Sequence, residues 1–285
     1  MRVTIIGVGL IGGSLAISLR ESGFASHITG VDASQDNLDK AIRRRIIDAD
    51  ADLGAGTQDA DIIILATQVD AMLGLLPQLL DRIGEGQVLV DVGSTKEQLL
   101  ATVDGHPNRA RFVACHPMAG TEFSGPGAAL AGLYAQRTVV LCDTDRSGEQ
   151  HLMRVRRLYR ELGMREVLMG SAEHDVHVAY VSHISHISSF ALSLTVLEKE
   201  RDDRQIFNLA AGGFASTVRL AKSGANTWTP IFEQNRDHVL DVLDEYINVL
   251  ADFRTALIKR NFSKIHGLIE RANAIGPILA QNPTS

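Results

Sequence analysis

The stretch that decides the fold lies at the start of the chain, where residues 2–17 read RVTIIGVGLIGGSLAI. Four of its first five residues are β-branched, which favours a buried strand, and a run rich in glycine follows at once. Residues 14–22 then carry a helical pattern. A GxGxxG spacing between a strand and a helix predicts that the turn binds a dinucleotide.

Each glycine of this motif has its own task in the prediction. Gly7 permits a tight turn, Gly9 lets the backbone approach a pyrophosphate, and Gly12 allows the helix to pack closely on the strand. The amides of Leu10 and Ile11, at the positive end of the helix, would donate to the phosphates. The alternative is a tight turn that binds nothing.

An acidic residue at the end of the second predicted strand favours the dinucleotide. Asp32 follows residues 28–31 and lies 20 residues after Gly12, where a ribose 2′-hydroxyl would be bound. Residues 33–35 contain no arginine to pair with a 2′-phosphate, which predicts NAD rather than NADP, although Ser34 could donate one hydrogen bond to such a phosphate. Alternatively, Asp32 only caps the next helix.

Residues 1–170 alternate short apolar runs with helical patterns, which is typical of a parallel sheet covered by helices on both faces. We therefore predict an α/β fold with an N-terminal Rossmann-type, doubly wound sheet. The predicted strands are residues 2–6, 27–31, 61–66, 87–92, 111–115 and 137–142, and the helices between them are residues 14–22, 36–45, 70–83 and 96–103. A further helix over residues 149–162 and a short run at residues 165–168 are expected to finish this domain.

Residues 171–285 show helical periodicity and hardly any strand signal, which predicts an all-helical C-terminal domain. A long apolar helix from residue 171 and a second helix over residues 203–222 are expected, and the pair Thr229–Pro230 would open a third. A helix that is apolar nearly all round needs neighbours on every side. This domain is therefore expected to form a homodimer.

Composition excludes several classes of function. The 285 residues carry a net charge of −6 and no basic run longer than three residues, so we expect no nucleic-acid partner. Two cysteines and no secretory signal suit a reducing compartment, the cytoplasm. Residues 176–197 lack charged side chains but contain three histidines, which predicts a buried helix of a soluble domain rather than a membrane span.

Two side chains near the ends of later strands suit proton transfer. Because the carboxyl ends of parallel strands open on the cofactor crevice, His116, directly after residues 111–115, is expected near the nicotinamide. An imidazole can take the proton of a carbinol as hydride leaves, and Ser94 could orient the imidazole or the substrate. Alternatively, His116 only bonds a backbone carbonyl. Cys115 should point to the opposite face and take no part.

Four segments, in this order, resemble the prephenate dehydrogenase family of tyrosine biosynthesis, and the resemblance covers nearly the whole chain. The histidine–proline segment and the later paired histidines are more specific than the glycine motif. The segments are GVGLIGGS at residues 7–14, GSTK at residues 93–96, HPMAGTE at residues 116–122 and VSHISH at residues 181–186.

The resemblance implies NAD-dependent oxidative decarboxylation of prephenate to 4-hydroxyphenylpyruvate. It also implies roles for single residues: His116 is similar to the catalytic histidine, Ser94 to a serine that assists it, Arg219 to an arginine that anchors a substrate carboxylate, His186 to a histidine near the substrate side chain, and Glu122 to an acid at the pocket entrance.

Residue chemistry agrees with an anionic substrate, because a protein of net charge −6 must supply cations locally, as Arg219 could. His183 and His186 lie about 60° apart on one helix, so both are expected to face the crevice. Together with His174 and His177 they form two HxxH pairs, but no further ligands complete a metal site, and none is expected. His174 and His177 are better explained as bonded within a buried helix.

Two other functions stay open at this point. Arogenate, which has an amino group in place of the keto group, is the nearest alternative substrate, but residues 214–217 supply no acid to recognise that group. A noncatalytic dinucleotide sensor is the alternative of another class, and such a protein would not need His116 or Arg219.

Overall fold

The computed structural model describes residues 1–202 and 205–281. Its chain divides into two compact units, Met1–Asn235 and Arg236–Ser285, and the sheet and the candidate site both belong to the first. The domain boundary expected near residue 170 stays a prediction. In the structure, the helices between residues 171 and 235 belong to the same compact unit as the sheet.

The sheet has eight strands in the order β3-β2-β1-β4-β5-β6-β7-β8. All neighbouring pairs are parallel except β6 and β7. The first six strands follow the doubly wound order, so the predicted α/β class is confirmed. The strands are β1 Arg2–Ile6, β2 His27–Val31, β3 Ala49–Asp50, β4 Ile62–Leu65, β5 Val88–Asp91, β6 Phe112–Pro117, β7 Thr138–Cys142 and β8 Arg165–Met169.

Helices cover both faces of this sheet, as its continuous apolar strands require. Buried side chains of α1, α2 and α6 pack on one face, and those of α4 and α5 pack on the other. The short β3 and α3 in this region were not predicted from the sequence. The helices of this part are α1 Leu10–Glu21, α2 Gln35–Arg43, α3 Leu53–Gln58, α4 Val69–Arg82, α5 Glu97–Ala101 and α6 Glu149–Glu161.

The part of the chain after β8 is helical, as predicted. A π-helical turn, Ala179–His183, joins α7 to α8, and single 3-10 turns occur at Ile206–Leu209 and Arg219–Lys222. The helices are α7 Ser171–Val178, α8 Ile184–Asp202, α9 Gly212–Thr217, α10 Ala225–Gln234, α11 Arg236–Ile258, α12 Phe262–Asn273 and α13 Ile275–Gln281.

Three expectations for this helical part need correction. Residues 203–222 do not form one helix, because the described residues from 205 onward make short turns and the six-residue α9; residues 203 and 204 lie outside the described part. Pro230 lies inside α10 instead of opening a helix. The apolar helix is not buried within the single chain, since Val181 is 68% and Leu194 59% exposed.

Across residues 1–202 and 205–281, no helix reaches the length and hydropathy that a membrane crossing requires.

Candidate active site

The turn between β1 and α1 forms a cradle that fits a pyrophosphate. Gly7 has a φ of +97°, and a Cβ there would lie 2.5 Å from the carbonyl oxygen of Ala66. A Cβ on Gly12 would lie 2.0 Å from the carbonyl oxygen of Gly7, so Gly12 allows the close helix–strand packing that its spacing predicted. At Gly9 a Cβ would meet nothing within 4 Å, which leaves the backbone open to a ligand.

The end of α1 that faces this cradle is free for an anion. No side chain caps the helix, and its first turn contains no acidic residue. The amides of Leu10 and Ile11 therefore lie at a positive helix end, on the wall of the main cavity. The residues present thus fit the phosphates of a dinucleotide.

Asp32 lies just after β2 and is fixed by three hydrogen bonds. Its carboxylate accepts from the backbone amides of Val8, at 3.0 Å, and Ser34, at 2.9 Å, and from the Asn37 side chain at 3.2 Å. Asp32 also lines the cavity. A fixed carboxylate here suits a ribose hydroxyl and would repel a 2′-phosphate. Capping of α2 falls to Ser34, whose hydroxyl accepts from the amide of Asn37.

One cavity of about 980 Å³ connects the cradle with the ends of β5 and β6 and with α8 and α10. Arg219 is the single lysine or arginine among its described lining residues. Of the site residues that the sequence predicted, the cavity brings together Gly7, Gly9, Leu10, Ile11, Asp32, Ser94, His116, Glu122, His186 and Arg219. Gly12 and His183 do not line it.

His116, in β6, is held by a partner that the sequence analysis did not predict. Its Nδ1 lies 2.8 Å from Nε2 of His174, and Nδ1 of His174 lies 2.7 Å from Oδ1 of Asp175. Among the described residues, His174 and not Ser94 therefore orients the imidazole. Nε2 of His116 is the nitrogen left for the cavity, and the Ser94 hydroxyl is left for a substrate.

Burial sets the charge of these groups. It holds the pKa of His116 well below its usual range, and positive charge on His174 or Lys96 would lower it further. Burial also lowers the pKa of His174, against the opposing effect of Asp175. For Asp175, burial raises the pKa, but the hydrogen bonds from His174 and two backbone amides outweigh that effect and lower it. The resting site thus holds two neutral imidazoles and one carboxylate.

The loop that carries Ser94 is anchored by a buried ion pair. Lys96 Nζ lies 2.6 Å from Asp91 Oδ2, and both side chains are fully buried. Asp91 also accepts from the backbone amide of Cys115, at 3.1 Å, which ties the loop to β6 beside His116. Cys115 does not line the cavity; it is buried, and burial raises its pKa, which leaves the thiol protonated and inert.

Arg219 and Glu122 form an ion pair at the cavity wall, in which Nη1 of Arg219 lies 3.1 Å from Oε2 of Glu122. The arginine side chain is 53% exposed, whereas that of the glutamate is 14% exposed. A hydrogen bond from its own backbone amide and, less strongly, the contact with Arg219 lower the pKa of Glu122. Arg219 belongs to the 3-10 turn Arg219–Lys222.

The two histidines of α8 and its preceding turn point in different directions. His186 lines the cavity and stacks on Trp228, with ring centroids 3.4 Å apart. His183 is buried, with Nδ1 3.1 Å from Nδ2 of Asn235, and burial lowers its pKa to about 4. The prediction that both histidines face the crevice is therefore wrong for His183.

The other HxxH pair also separates. His174 is buried and hydrogen-bonded, as expected, but His177 is exposed. In the part of the chain that the structure describes, no group of three or more histidines, cysteines or acids could hold a metal ion.

Several lining residues were not predicted. The lone tryptophan, Trp228, and the exposed Phe123 supply aromatic surface to the cavity. His174 and Asp175 could have been noticed as a histidine–acid pair just after the last predicted strand, but nothing local shows that this pair reaches β6.

A sheet of this order, with a glycine cradle and a buried neutral imidazole at its crevice, defines a dehydrogenase that uses a nicotinamide dinucleotide. Family models agree with this class. Residues 15–168 match the nucleotide-binding domain of prephenate dehydrogenase, and residues 170–270 match its dimerization domain. The chain belongs to the prephenate dehydrogenase family.

Individual relatives agree. The prephenate dehydrogenase of Bacillus subtilis is 32% identical over 89% of this chain and 69% of its own length. The crystal structure of prephenate dehydrogenase from Aquifex aeolicus, in complex with hydroxyphenyl propionate and NAD+, gives a TM-score of 0.87 at 29% identity and covers 99% of this chain and 98% of that one. Synechocystis arogenate dehydrogenase gives a TM-score of 0.76 at 28% identity, with coverage of 97% and 99%.

Proposed function

We propose that this enzyme converts prephenate to 4-hydroxyphenylpyruvate with release of CO2 and reduction of NAD. The observation that carries the proposal is the single cavity that joins the glycine cradle, the free nitrogen of His116 and the guanidinium of Arg219. Bound NAD supplies the acceptor for the hydride that leaves C4 of the ring. The direct test mixes enzyme, NAD and prephenate and measures NADH and CO2, which should form in equal amounts, whereas a noncatalytic sensor would form neither.

His116 moves one proton in both directions in this reaction. Its neutral Nε2 accepts the proton of the C4 hydroxyl as the carbonyl develops. Once the ring carboxylate has left as CO2 and the ring electrons have closed to a phenolate, the same nitrogen returns the proton to that oxygen. Proton transfer therefore balances at His116, and Ser94 can donate to the same oxygen from the neighbouring loop.

Arogenate is the second candidate substrate, and Glu122 is the observation that favours it. This carboxylate lines the cavity and could bind an amino group, although Arg219 occupies it in the structure. Initial rates measured in parallel with the two substrates decide between them. We expect prephenate to be the better one, because residues 214–217 add no acid near Arg219.

Replacing Arg219 by glutamine should raise the KM for prephenate about tenfold and leave the affinity for NAD unchanged. A charge-assisted hydrogen bond contributes about 1.5 kcal/mol or more, and the half-exposed position of Arg219 keeps the effect near that lower value. Lys222→Gln is the matched control, since Lys222 belongs to the same 3-10 turn but does not line the cavity. An equal KM in both variants would contradict the assignment.

Replacing Asp32 by asparagine should weaken NAD binding about tenfold and make NADP usable. The substitution removes the charge that accepts from a ribose hydroxyl and repels a 2′-phosphate, while one oxygen still accepts hydrogen bonds from the backbone. The measurement is the ratio of kcat/KM for the two cofactors. Asp36→Asn, an exposed acid of α2, is the control, and an unchanged ratio in Asp32→Asn would show that Asp32 does not select the cofactor.

We also propose that two copies associate through the helical part in the cytoplasm. The match to a dimerization domain and the exposed apolar side chains of α8, such as Leu194 and Leu197, support this. Light scattering on the purified protein should give twice the 30.9 kDa mass of the chain.

A further inference from the structure

We infer that Asp175 and His174 are positioning residues that hold His116 as its Nδ1–H tautomer and so present the Nε2 lone pair to the substrate hydroxyl. This assignment rests on the proposed function and deepens it. Neither residue lines the cavity, so both would act through His116.

The proton positions along the hydrogen-bonded series His116–His174–Asp175 follow from the charge of Asp175. Asp175 is ionised and can only accept, so His174 donates to it from Nδ1 over 2.7 Å. A neutral imidazole carries one proton, so Nε2 of His174 is an acceptor. His116 therefore donates from Nδ1 over 2.8 Å, and its Nε2 is unprotonated.

Asp175 is fixed independently of the histidines. It accepts from the backbone amides of Lys96 and Glu97, each at 2.9 Å, which lie at the start of α5. The side chain of Asn235 donates to the backbone oxygen of Asp175 at 2.7 Å. The carboxylate is thus preorganised, and its bonds to Lys96 and Glu97 tie α7 to the segment that follows Ser94.

Helix α7, which carries His174 and Asp175, is fixed at its start as well. The Asp143 carboxylate accepts from the amide of Ser171, at 2.9 Å, and from its hydroxyl, at 2.7 Å. His174 and Asp175 are 0% and 1% exposed, so water does not compete for their hydrogen bonds. The helix therefore holds the two side chains in one geometry.

The same hydrogen bonds also stabilise His116 when it becomes charged. The imidazolium would keep its Nδ1–H bond to the lone pair of His174, whose opposite nitrogen donates to the Asp175 carboxylate. Among the described residues, the other charged or titratable groups around the two rings are Asp91 at the end of β5, Lys96 at the start of α5 and His183 in the π-helical turn. Lys96 is neutralised by Asp91 at 2.6 Å, so Asp175 is the anion aligned with the two imidazoles.

The first test reads the tautomer directly and needs no substrate. The 15N signals of the histidine rings in the ligand-free protein should show His116 and His174 both protonated at Nδ1 and not at Nε2. A His116 protonated at Nε2 in an enzyme that oxidises prephenate would overturn this inference and leave the proposed function intact. The expected tautomers in a protein that forms no NADH would overturn the proposed function and leave the tautomer assignment intact.

The second test replaces His174 by phenylalanine, which keeps a ring and removes the acceptor. We expect kcat to fall about 10²-fold. The acidic limb of the pH profile of kcat/KM should move to lower pH by about one unit, because the charged form of His116 loses its partner. A purely structural role would lower the rate without moving this limb, and that result would contradict the inference.

Two further variants complete the experiment. His177→Phe is the matched control, because His177 lies on the same helix, is exposed and does not line the cavity; its rate and pH profile should equal those of the unmodified enzyme. If His174→Phe does not fold, His174→Leu, which also removes the acceptor, replaces it, and NAD affinity reports on its fold. An unmoved acidic limb in His174→Leu would again contradict the inference.

Discussion

Replacing His116 by asparagine should lower kcat for prephenate oxidation about 10³-fold, while the Kd for NAD stays within about twofold. The amide nitrogen of asparagine can take the place of Nδ1 and keep the hydrogen bond to His174. Nothing then occupies the place of Nε2, so the variant lacks the base but retains the surrounding geometry. Initial rates of NADH formation and a titration with NAD give the two quantities.

The control is His27→Asn, since His27 begins β2 at the amino edge of the sheet, opposite the crevice. It should leave both quantities unchanged. If His116→Asn kept full turnover, a different group would have to accept the hydroxyl proton. If it lost NAD affinity as strongly as it lost rate, His116 would be acting on the shape of the site and not on the proton.

The glycine turn and the strand ends were predictable because their signals are local. The positive φ of Gly7 and the close packing at Gly12 are properties of a short segment, and the alternation of strands and helices predicts a parallel sheet whose carboxyl ends share one edge. That rule alone is enough to predict that Asp32, Ser94 and His116 line one cavity.

The contacts around the imidazole were not predictable, because they join segments far apart in the chain. His116 and His174 are 58 residues apart, and no periodicity encodes their 2.8 Å contact. The prediction for His183 failed for a different reason. It placed both side chains on one face from their spacing alone, but the angle of about 60° between them is enough for His183 to contact Asn235 while His186 stacks on Trp228 at the cavity.

The proposed dimer would account for the other shortfall. The apolar pattern of residues 176–197 predicts burial, and the single chain leaves Val181 and Leu194 exposed. A sequence pattern records what is covered in the functional assembly, whereas the burial within one chain does not. The exposed apolar side chains are therefore the ones that we expect the proposed dimer to bury.

Replacing Lys96 by methionine should lower the free energy of unfolding by about 3–5 kcal/mol, a very large loss for one side chain. The substitution keeps the length of the side chain but leaves the fully buried carboxylate of Asp91 without a counter-charge. Lys96 Nζ also donates to the carbonyl oxygen of Gly93 at 2.6 Å, and that bond is lost as well. Urea denaturation at a fixed protein concentration measures the change.

Lys40→Met provides the matched control, because Lys40 pairs with Asp36 on the exposed surface of α2. Such a pair contributes only about 0.3–0.5 kcal/mol.

The double variant Lys96→Met with Asp91→Asn separates charge from packing. Removal of the uncompensated anion should restore a large part of the stability, since the amide oxygen can still accept from Cys115. Equal small losses in Lys96→Met and Lys40→Met, or no recovery in the double variant, would show that the buried charge pair does not hold this loop. Because the loop carries Ser94 and lies beside His116, the Lys96→Met variant should also lose activity at urea concentrations below its unfolding transition.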